Sequence, residues 1–342
     1  MTISIFARCT CGLLSLLLVT TSAMADVSTL ATARSRGFLS CGISEGHEGF
    51  SAPDAQGKWT GLDVDYCRAV AAAVFSDADK VKFRPLAASE GLTALRKGEI
   101  DVLARATPWS ISLGVDSGVQ FVGVSYFDGQ GLMVRRTMGV TSVLELSGAT
   151  ICAPSSTELR QGITDYFKSK KMPFEILAFD RNSDAVTAYS DKRCDAITDL
   201  QSNLSSMRSQ LAAPDDHVVL PDTIAKSPLG PLVRRDDTQW LTIAQWTLYA
   251  MIAAEEMDIT SRNAERLAST DNVRAKRLFG TEADLGQQVG LGPTWGLDIV
   301  RLVGNYGEVF ERNLGAGSRI DLPRSFNNLW NNGGLIYSPL FR

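Results

Sequence analysis

The chain reads as an α/β protein of two lobes, joined by two crossing strands, with a ligand held in the cleft between them. Three observations carry that expectation. Strand-like apolar runs alternate with helical stripes over short connections. The pattern runs through once and restarts on a smaller scale after residue 136. Two segments of similar character, residues 121–136 and 227–235, fall where the restart and the return would be. Either segment alone would suit an ordinary strand of one larger sheet. The restart favours crossings, placing lobe 1 at residues 26–130 and 232–342, and lobe 2 at residues 131–231.

The first 25 residues read as a targeting segment. Arg8 is its only charge, residues 11–19 are rich in leucine, and Ala23-Met24-Ala25 fits a small-x-small cleavage site. The apolar run is too short to span a bilayer. Export in soluble form to the periplasm, with this segment removed, is the expectation. The formal net charge of −4 becomes one unit more negative without Arg8. Such a balance does not suit nucleic acid, and no second apolar run approaches membrane length.

Beyond residue 25 the cysteines are Cys41, Cys67, Cys152 and Cys194. Outside the cytosol an even set reads as disulfides, with three connectivities open. Pairing Cys41 with Cys67 and Cys152 with Cys194 would put one bridge in each lobe. There is no CxxC spacing and there are only two histidines, so no metal site is expected.

In chain order, residues 38–43 (F-L-S-C-G-I) make a first strand, and residues 44–54 a loop with Gly46, Gly49 and Pro53. Asp63 and Asp65 suit the electropositive first turn of a helix. Tyr66, Val70, Ala73 and Val74 give that helix its apolar stripe. Residues 81–86 are a strand, 89–97 a short helix stopped by Gly98, and 100–104 a strand. Ligands in α/β sheets sit beyond the carboxyl ends of strands, which draws attention to residues 105–113 (R-A-T-P-W-S-I-S-L).

The first crossing reads as two short strands, residues 121–127 and 132–135, joined by Asp128-Gly129-Gln130-Gly131. There the glycines grant φ values that other residues resist. Next come a helical turn at 143–146, a strand at 149–153, and Ser155-Ser156-Thr157-Glu158 opening a helix to Lys168. Backbone N–H groups and hydroxyls at such a helix start can hold an anion. Residues 174–178 are a strand, 183–192 a helix, and 194–198 a strand delivering Asp199 just past its end. Residues 218–220 precede the second crossing. Residues 239–256 form a long helix whose Trp240, Ile243, Trp246 and Tyr249 belong to the core. The last segment, residues 264–342, is polar and helical with glycine-rich joints, and carries no catalytic motif.

Several stretches carry a resemblance. They are C-G-I-S-E-G from Cys41, G-F-S-A-P-D from Gly49, W-T-G-L-D-V-D from Trp59 and C-R-A-V-A-A-A-V-F from Cys67. F-V-G-V from Phe121, D-G-Q-G from Asp128, P-L-G-P from Pro228, T-W-G-L from Thr294 and N-N-L-W from Asn327 complete the set. In these the chain resembles the periplasmic amino-acid-binding proteins of ABC transporters, of the general L-amino-acid-binding group in solute-binding protein family 3. The resemblance implies a type II two-lobe fold that closes by hinge rotation and delivers its ligand to an inner-membrane ABC permease.

It also implies ligand anchors, and here the chain departs from the pattern. An arginine that forks onto the ligand carboxylate is expected eight positions after Arg105, where Leu113 stands. Pro108 replaces a usual hydroxyl, and Glu158 falls where a hydroxyl is expected. The aspartate for the ligand ammonium is expected five residues after Asp195, where Leu200 stands, with Asp199 one position away. Such a shift along a strand reverses the face presented.

The expected ligand-binding set is therefore Phe50, Arg105, Thr107, Trp109, Ser156, Thr157, Glu158 and Asp199. Arg105 would take over the carboxylate, its planar guanidinium being suited to the task. A buried Arg105–Glu158 pair is the competing structural use. Phe50 and Trp109 would stack on the ligand, or else pack in the lobe core. His47, alone near the same loop, reads as a surface residue.

The function expected is a monomeric, non-catalytic solute-binding component of an importer, without cofactor. Its ligand would be an amino acid or a related small zwitterionic or cationic compound. A cyclohexadienyl-dehydratase-like enzyme, with Glu158 or Asp199 as general acid, is the rival on the same scaffold. A sensor that does not deliver its ligand is the third reading.

Overall fold

The computed structural model describes residues 28–115, 118–154, 156–281 and 285–341. The expected targeting segment lies outside them. Strands run in order as β1 (Leu39–Ile43), β2 (Ala52–Pro53), β3 (Trp59–Thr60), β4 (Val81–Pro85), β5 (Val102–Pro108) and β6 (Val119–Phe121). They continue as β7 (Tyr126–Arg135), β8 (Thr150–Pro154), β9 (Glu175–Phe179), β10 (Ala196–Leu200), β11 (His217–Val219) and β12 (Ala225–Arg234). Apart from the β2–β3 ribbon, they order as β4-β1-β5-β12-β7-β10-β8-β9, with β6 beside β12 and β11 beside β7.

The two flanks of this sheet are parallel: β4, β1 and β5 on one side, and β10, β8 and β9 on the other. Parallel neighbours require helical crossovers, and the short alternating elements supply them. Between the flanks β7 and β12 run antiparallel to each other, Tyr126 facing Leu229 and Gln130 facing Ala225. Past that shared segment they diverge. β7 continues against β10 and β11, whereas β12 continues against β5 and β6. The chain therefore passes twice between the two halves of the sheet.

The first crossing differs from its expected form. Asp128-Gly129-Gln130-Gly131 is not a joint between two short strands but the middle of one ten-residue strand. Its glycines serve close approach. A Cβ on Gly129 would lie 2.3 Å from Thr223 Cγ2, and one on Gly131 would lie 2.8 Å from Gln201 Cγ. Neither glycine has positive φ.

The Leu62–Phe75 helix is buried along nearly its whole length. Its alanines let β5 and the Thr238–Glu256 helix approach it, and Tyr66 Oη donates to Ala244 O at 2.9 Å. Both expected disulfides are present. Cys41 on β1 joins Cys67 in this helix, and Cys152 on β8 joins Cys194 just before β10. Trp240 and Ile243 are fully buried, as their spacing predicts. The turn expected at residues 143–146 is a 3-10 turn at Val143–Glu145, fastened by Asp222 accepting from Ser142 Oγ and Val143 N.

Residues beyond 264 are not an appendage. Leu278, Phe279, Ile299, Val300, Tyr306 and Phe310 join the largest core cluster. Asn327 pairs with the start of β7, Oδ1 accepting from Phe127 N at 2.6 Å and Nδ2 donating to Phe127 O at 3.0 Å. Tyr306 Oη donates to Ser125 O at 2.9 Å. The C-terminal segment thus fixes the entry to one crossing strand.

Candidate functional site

β5 extends four residues beyond its expected end, and it does so through a bulge. Leu232 of β12 faces Leu103, yet Gly230 faces Thr107, so two steps on one strand span four on the other. Ala106, inside the bulge, has φ +51°, a left-handed conformation that costs a non-glycine residue energy. Bulges re-aim the side chains around them. Here these are Arg105 and Thr107. Gly91 keeps room for the Arg105 stem, since a Cβ there would lie 3.2 Å from Arg105 Cδ.

Asp63 holds this bulge from below. It stands in the first turn of the Leu62–Phe75 helix, is 2% exposed, and accepts a hydrogen bond from the Ala106 backbone N–H. Burial pushes its carboxyl up to about 7, against the opposing effects of that hydrogen bond and of the Arg105 charge. Its Oδ2 has no hydrogen-bond partner. Arg105 Nε, Thr107 Oγ1 and His47 Nε2 are likewise buried and unpartnered. Buried polar atoms are paired as a rule, so several orphans on one wall are a functional signature.

His47 is not a free surface residue. Its ring stacks on Phe50 with centroids 4.5 Å apart, and Phe50 meets Tyr126 edge-on at 5.2 Å. Burial pulls the imidazole down to about 4, opposed by a hydrogen bond with Asn203 and reinforced by the Arg105 charge. His47 therefore stays neutral at ordinary pH. Asn203 belongs to the Gln201–Gln210 helix of the opposite wall, whose Gln210 Nε2 also reaches Glu48 Oε2 at 3.2 Å. The two walls meet there.

That opposite wall is polar too, but there Asp199, Asp128 and Gln130 have partners. Asp199 is 3% exposed, and its Oδ1 accepts from Asn203 Nδ2 at 2.8 Å and Leu200 N at 2.7 Å. Asp128 accepts from Ser202 Oγ and from Gly129 N. Burial nevertheless raises Asp128 to about 6, with the nearby Asp199 charge adding to the effect. Gln130 Nε2 donates to Leu159 O at 2.7 Å and to Thr198 Oγ1 at 3.0 Å.

Two cavities open between the walls. One of about 500 Å³ is bordered by Pro108, Ser156, Glu158, Asp199 and Lys226. The other, about 800 Å³, is bordered by His47, Glu48, Gln210 and Arg319. Asn182 and Asn203 line both.

The expected ligand set divides accordingly. Arg105 and Thr107 stand at the bulge, while Ser156, Glu158 and Asp199 border the smaller cavity. Ser156 caps the Thr157–Ser169 helix through its Oγ, and Glu158 is exposed in its first turn. The Thr157 side chain and Ser155 fall outside the described residues. Trp109 is 49% exposed, with one face stacked on Phe121 at 5.4 Å. Phe50 is 1% exposed and packs behind the His47 ring. Asp199 lies inside β10, not past its end. The carboxylates acting on Arg105 are Asp63 and Glu45, not Glu158. Leu113 packs sideways against the cluster of Leu86, Leu95 and Leu103.

Sequence reasoning missed Asp63, His47, Asn203 and Gln130. Asp63 was legible as a first-turn acid, but its burial was not. His47 had one signal, its place between Gly46 and Gly49 in a loop that must turn tightly.

Comparison with known proteins agrees with this geometry. Residues 39–263 match the bacterial extracellular solute-binding proteins, family 3. The chain is 46% identical over 320 residues to the general L-amino acid-binding periplasmic protein AapJ of Rhizobium johnstonii, covering 93% of this chain and 94% of that one. It is 43% identical over 319 residues to the glutamate/glutamine/aspartate/asparagine-binding protein BztA of Rhodobacter capsulatus, covering 93% and 94%. Among solved structures, an ABC transporter periplasmic binding protein from Brucella ovis with glutathione bound superposes with a TM-score of 0.84. It shares 46% identity and covers 92% of this chain and 99% of that one. The protein described here belongs to the bacterial extracellular solute-binding proteins, family 3.

Proposed function

We propose that this chain is the periplasmic solute-binding component of an ABC importer. It takes an amino acid, or a compound carrying an amino-acid zwitterion, into the cleft and delivers it to an inner-membrane permease. One observation carries this reading: Arg105 Nε, Thr107 Oγ1, His47 Nε2 and Asp63 Oδ2 are buried without partners, and His47 borders the larger cavity. A carboxylate on Arg105 and Thr107, with donors and acceptors near His47 and Asp63, would satisfy them. The named relatives, which bind amino acids, and the glutathione held by the Brucella ovis protein support the same ligand class.

In this reading residues 26–130 and 232–342 form lobe 1, and residues 131–231 form lobe 2. The divergence of β7 and β12 beyond their shared segment supports hinges near those boundaries. The protein works as a monomer, without catalysis, after export and removal of residues 1–25.

A thermal-shift screen over amino acids, amines, betaines, small carboxylates and glutathione tests the ligand class. A ligand at 100 Kd stabilises the native state by about 2.7 kcal/mol, an easily read shift. Scattering should show a smaller radius of gyration with the ligand bound, as hinge closure requires. A screen with no hit among zwitterions, or turnover of prephenate in the same tubes, would sink the proposal.

A further inference from the structure

The C-terminal segment holds a third cavity, of about 260 Å³, sharing no lining residue with the two in the cleft. Its walls are mainly apolar, with Ile243 and Trp246 from the Thr238–Glu256 helix facing Val289, Leu291, Trp295 and Phe341. Trp246 meets Phe341 edge-on at 4.9 Å, and Trp295 stacks at 6.3 Å from the same ring.

Trp295 is 5% exposed, yet its Nε1–H has no acceptor. A buried indole N–H ordinarily finds one. Trp240, equally buried, donates to Asp101 O at 2.9 Å. Two glycines keep side chains off the Trp295 edge. A Cβ on Gly286 would lie 2.5 Å from Nε1, and one on Gly280 would lie 2.9 Å away. The result is a buried donor without an acceptor in the wall of an apolar cavity, with Arg277 and Gln288 bordering the same space.

That chemistry is selective. An apolar guest would leave the indole N–H unsatisfied. A zwitterion would bury its ammonium without a counter-charge, because no acidic side chain lines the cavity among the described residues. Such burial costs several kcal/mol. The volume falls below the roughly 300–1,000 Å³ of sites for drug-sized ligands, which limits the guest to about one ring. We propose that this cavity is a second binding site, for a small aromatic carboxylic acid. Its ring packs among Trp246, Trp295 and Phe341, and a carboxylate oxygen accepts from Trp295 Nε1. The site lies outside the cleft and does not depend on the cleft's ligand.

The test uses the mature full-length chain with benzoate and phenylacetate as probes and phenylalanine as the zwitterionic control. Binding is followed by calorimetry and by the indole N–H resonance of Trp295, assigned by its loss in Trp295→Phe. The expected result is saturable binding of a carboxylate probe with displacement of that resonance, and no binding of phenylalanine at this site. Trp295→Phe should weaken the probe about tenfold, the loss of one hydrogen bond. A resonance that stays in place at saturating probe, equal binding by Trp295→Phe, or equal displacement by phenylalanine would each overturn the proposal. Should Trp295→Phe fail to fold, the Trp295 resonance is assigned by through-bond correlation in the isotope-labelled unmodified protein, and its displacement or its staying in place decides the matter.

Discussion

The two walls of the cleft bury similar numbers of polar groups in opposite ways. On the wall carrying β5, Arg105, Thr107, Asp63 and His47 each keep a buried atom without a partner, beside a left-handed Ala106. On the facing wall, Asp128, Gln130 and Asp199 are tied to Ser202, Thr198 and Asn203. A satisfied buried network rigidifies its surroundings, whereas unsatisfied groups cost stability until something binds them. One wall keeps buried donors and acceptors without partners, and the other pairs its own internally.

The largest expected effect concerns the strain on the first wall. Asp63 has its folded value near 7 against an ordinary 3.8, so the folded state holds the proton more tightly over that interval. Its contribution to stability is full below about pH 4 and is lost as pH rises towards 7. The size is on the order of 4 kcal/mol. Asp63→Asn should flatten this part of the stability–pH profile and be the more stable protein at pH 8, with little difference at pH 4. Urea titrations at both pH values read this directly. A parallel profile for the two proteins would mean that Asp63 is already compensated, and the contrast between the walls would weaken.

Next in size is the anchor itself. Arg105→Ala should weaken the best ligand by about 2 kcal/mol or more, the scale of a charged hydrogen bond lost from a buried site. Glu158→Ala should cost less than 1 kcal/mol, because Glu158 is exposed and its charge is screened by water. Ser202→Ala inverts the pattern. It removes a hydroxyl from buried Asp128, and should lower stability by roughly 1.5–3 kcal/mol while changing affinity little. Calorimetric titration together with denaturation of the three variants sharpens or breaks the comparison. If Ser202→Ala loses affinity as steeply as Arg105→Ala, the facing wall is an anchor too.

The fold was largely legible because periods of 2.0 and 3.6 show in one dimension. The Tyr66, Val70, Ala73 and Val74 stripe became the buried Leu62–Phe75 helix, and of the three connectivities open to the cysteines the one expected to put a bridge in each lobe is present. What was not legible depended on partners distant in sequence. A glycine in a strand can signal φ freedom or close approach, and only Thr223 and Gln201 decide for Gly129 and Gly131. The bulge at Ala106 is set by register against β12, more than a hundred residues later in the chain. Burial of Asp63 and His47 is a tertiary property that no local pattern announces. Arg105 and Thr107 could be singled out as candidates because they follow the strand expected at residues 100–104; that they share a wall with Asp63 could not.

The smallest expected effect is the one that tests the departure from the family pattern. Leu113 occupies the position where the resemblance places a carboxylate-binding arginine, yet it is a half-buried side chain in the short Ile111–Gly114 helix. It packs against the buried cluster that includes Leu86, Leu95, Ile100 and Leu103. Leu113→Ala should therefore cost about 1 kcal/mol of stability. That is less than the 2–5 kcal/mol of a fully buried leucine, because part of the side chain already meets water. Affinity should stay within twofold of the unmodified protein, since no apolar surface at this position helps to hold a zwitterion. Titrating Leu113→Ala beside Arg105→Ala gives the decisive pair. A tenfold loss in Leu113→Ala would mean that the short helix turns towards the ligand on closure. The carboxylate anchor would then have to be sought around residue 113 instead of at the β5 bulge.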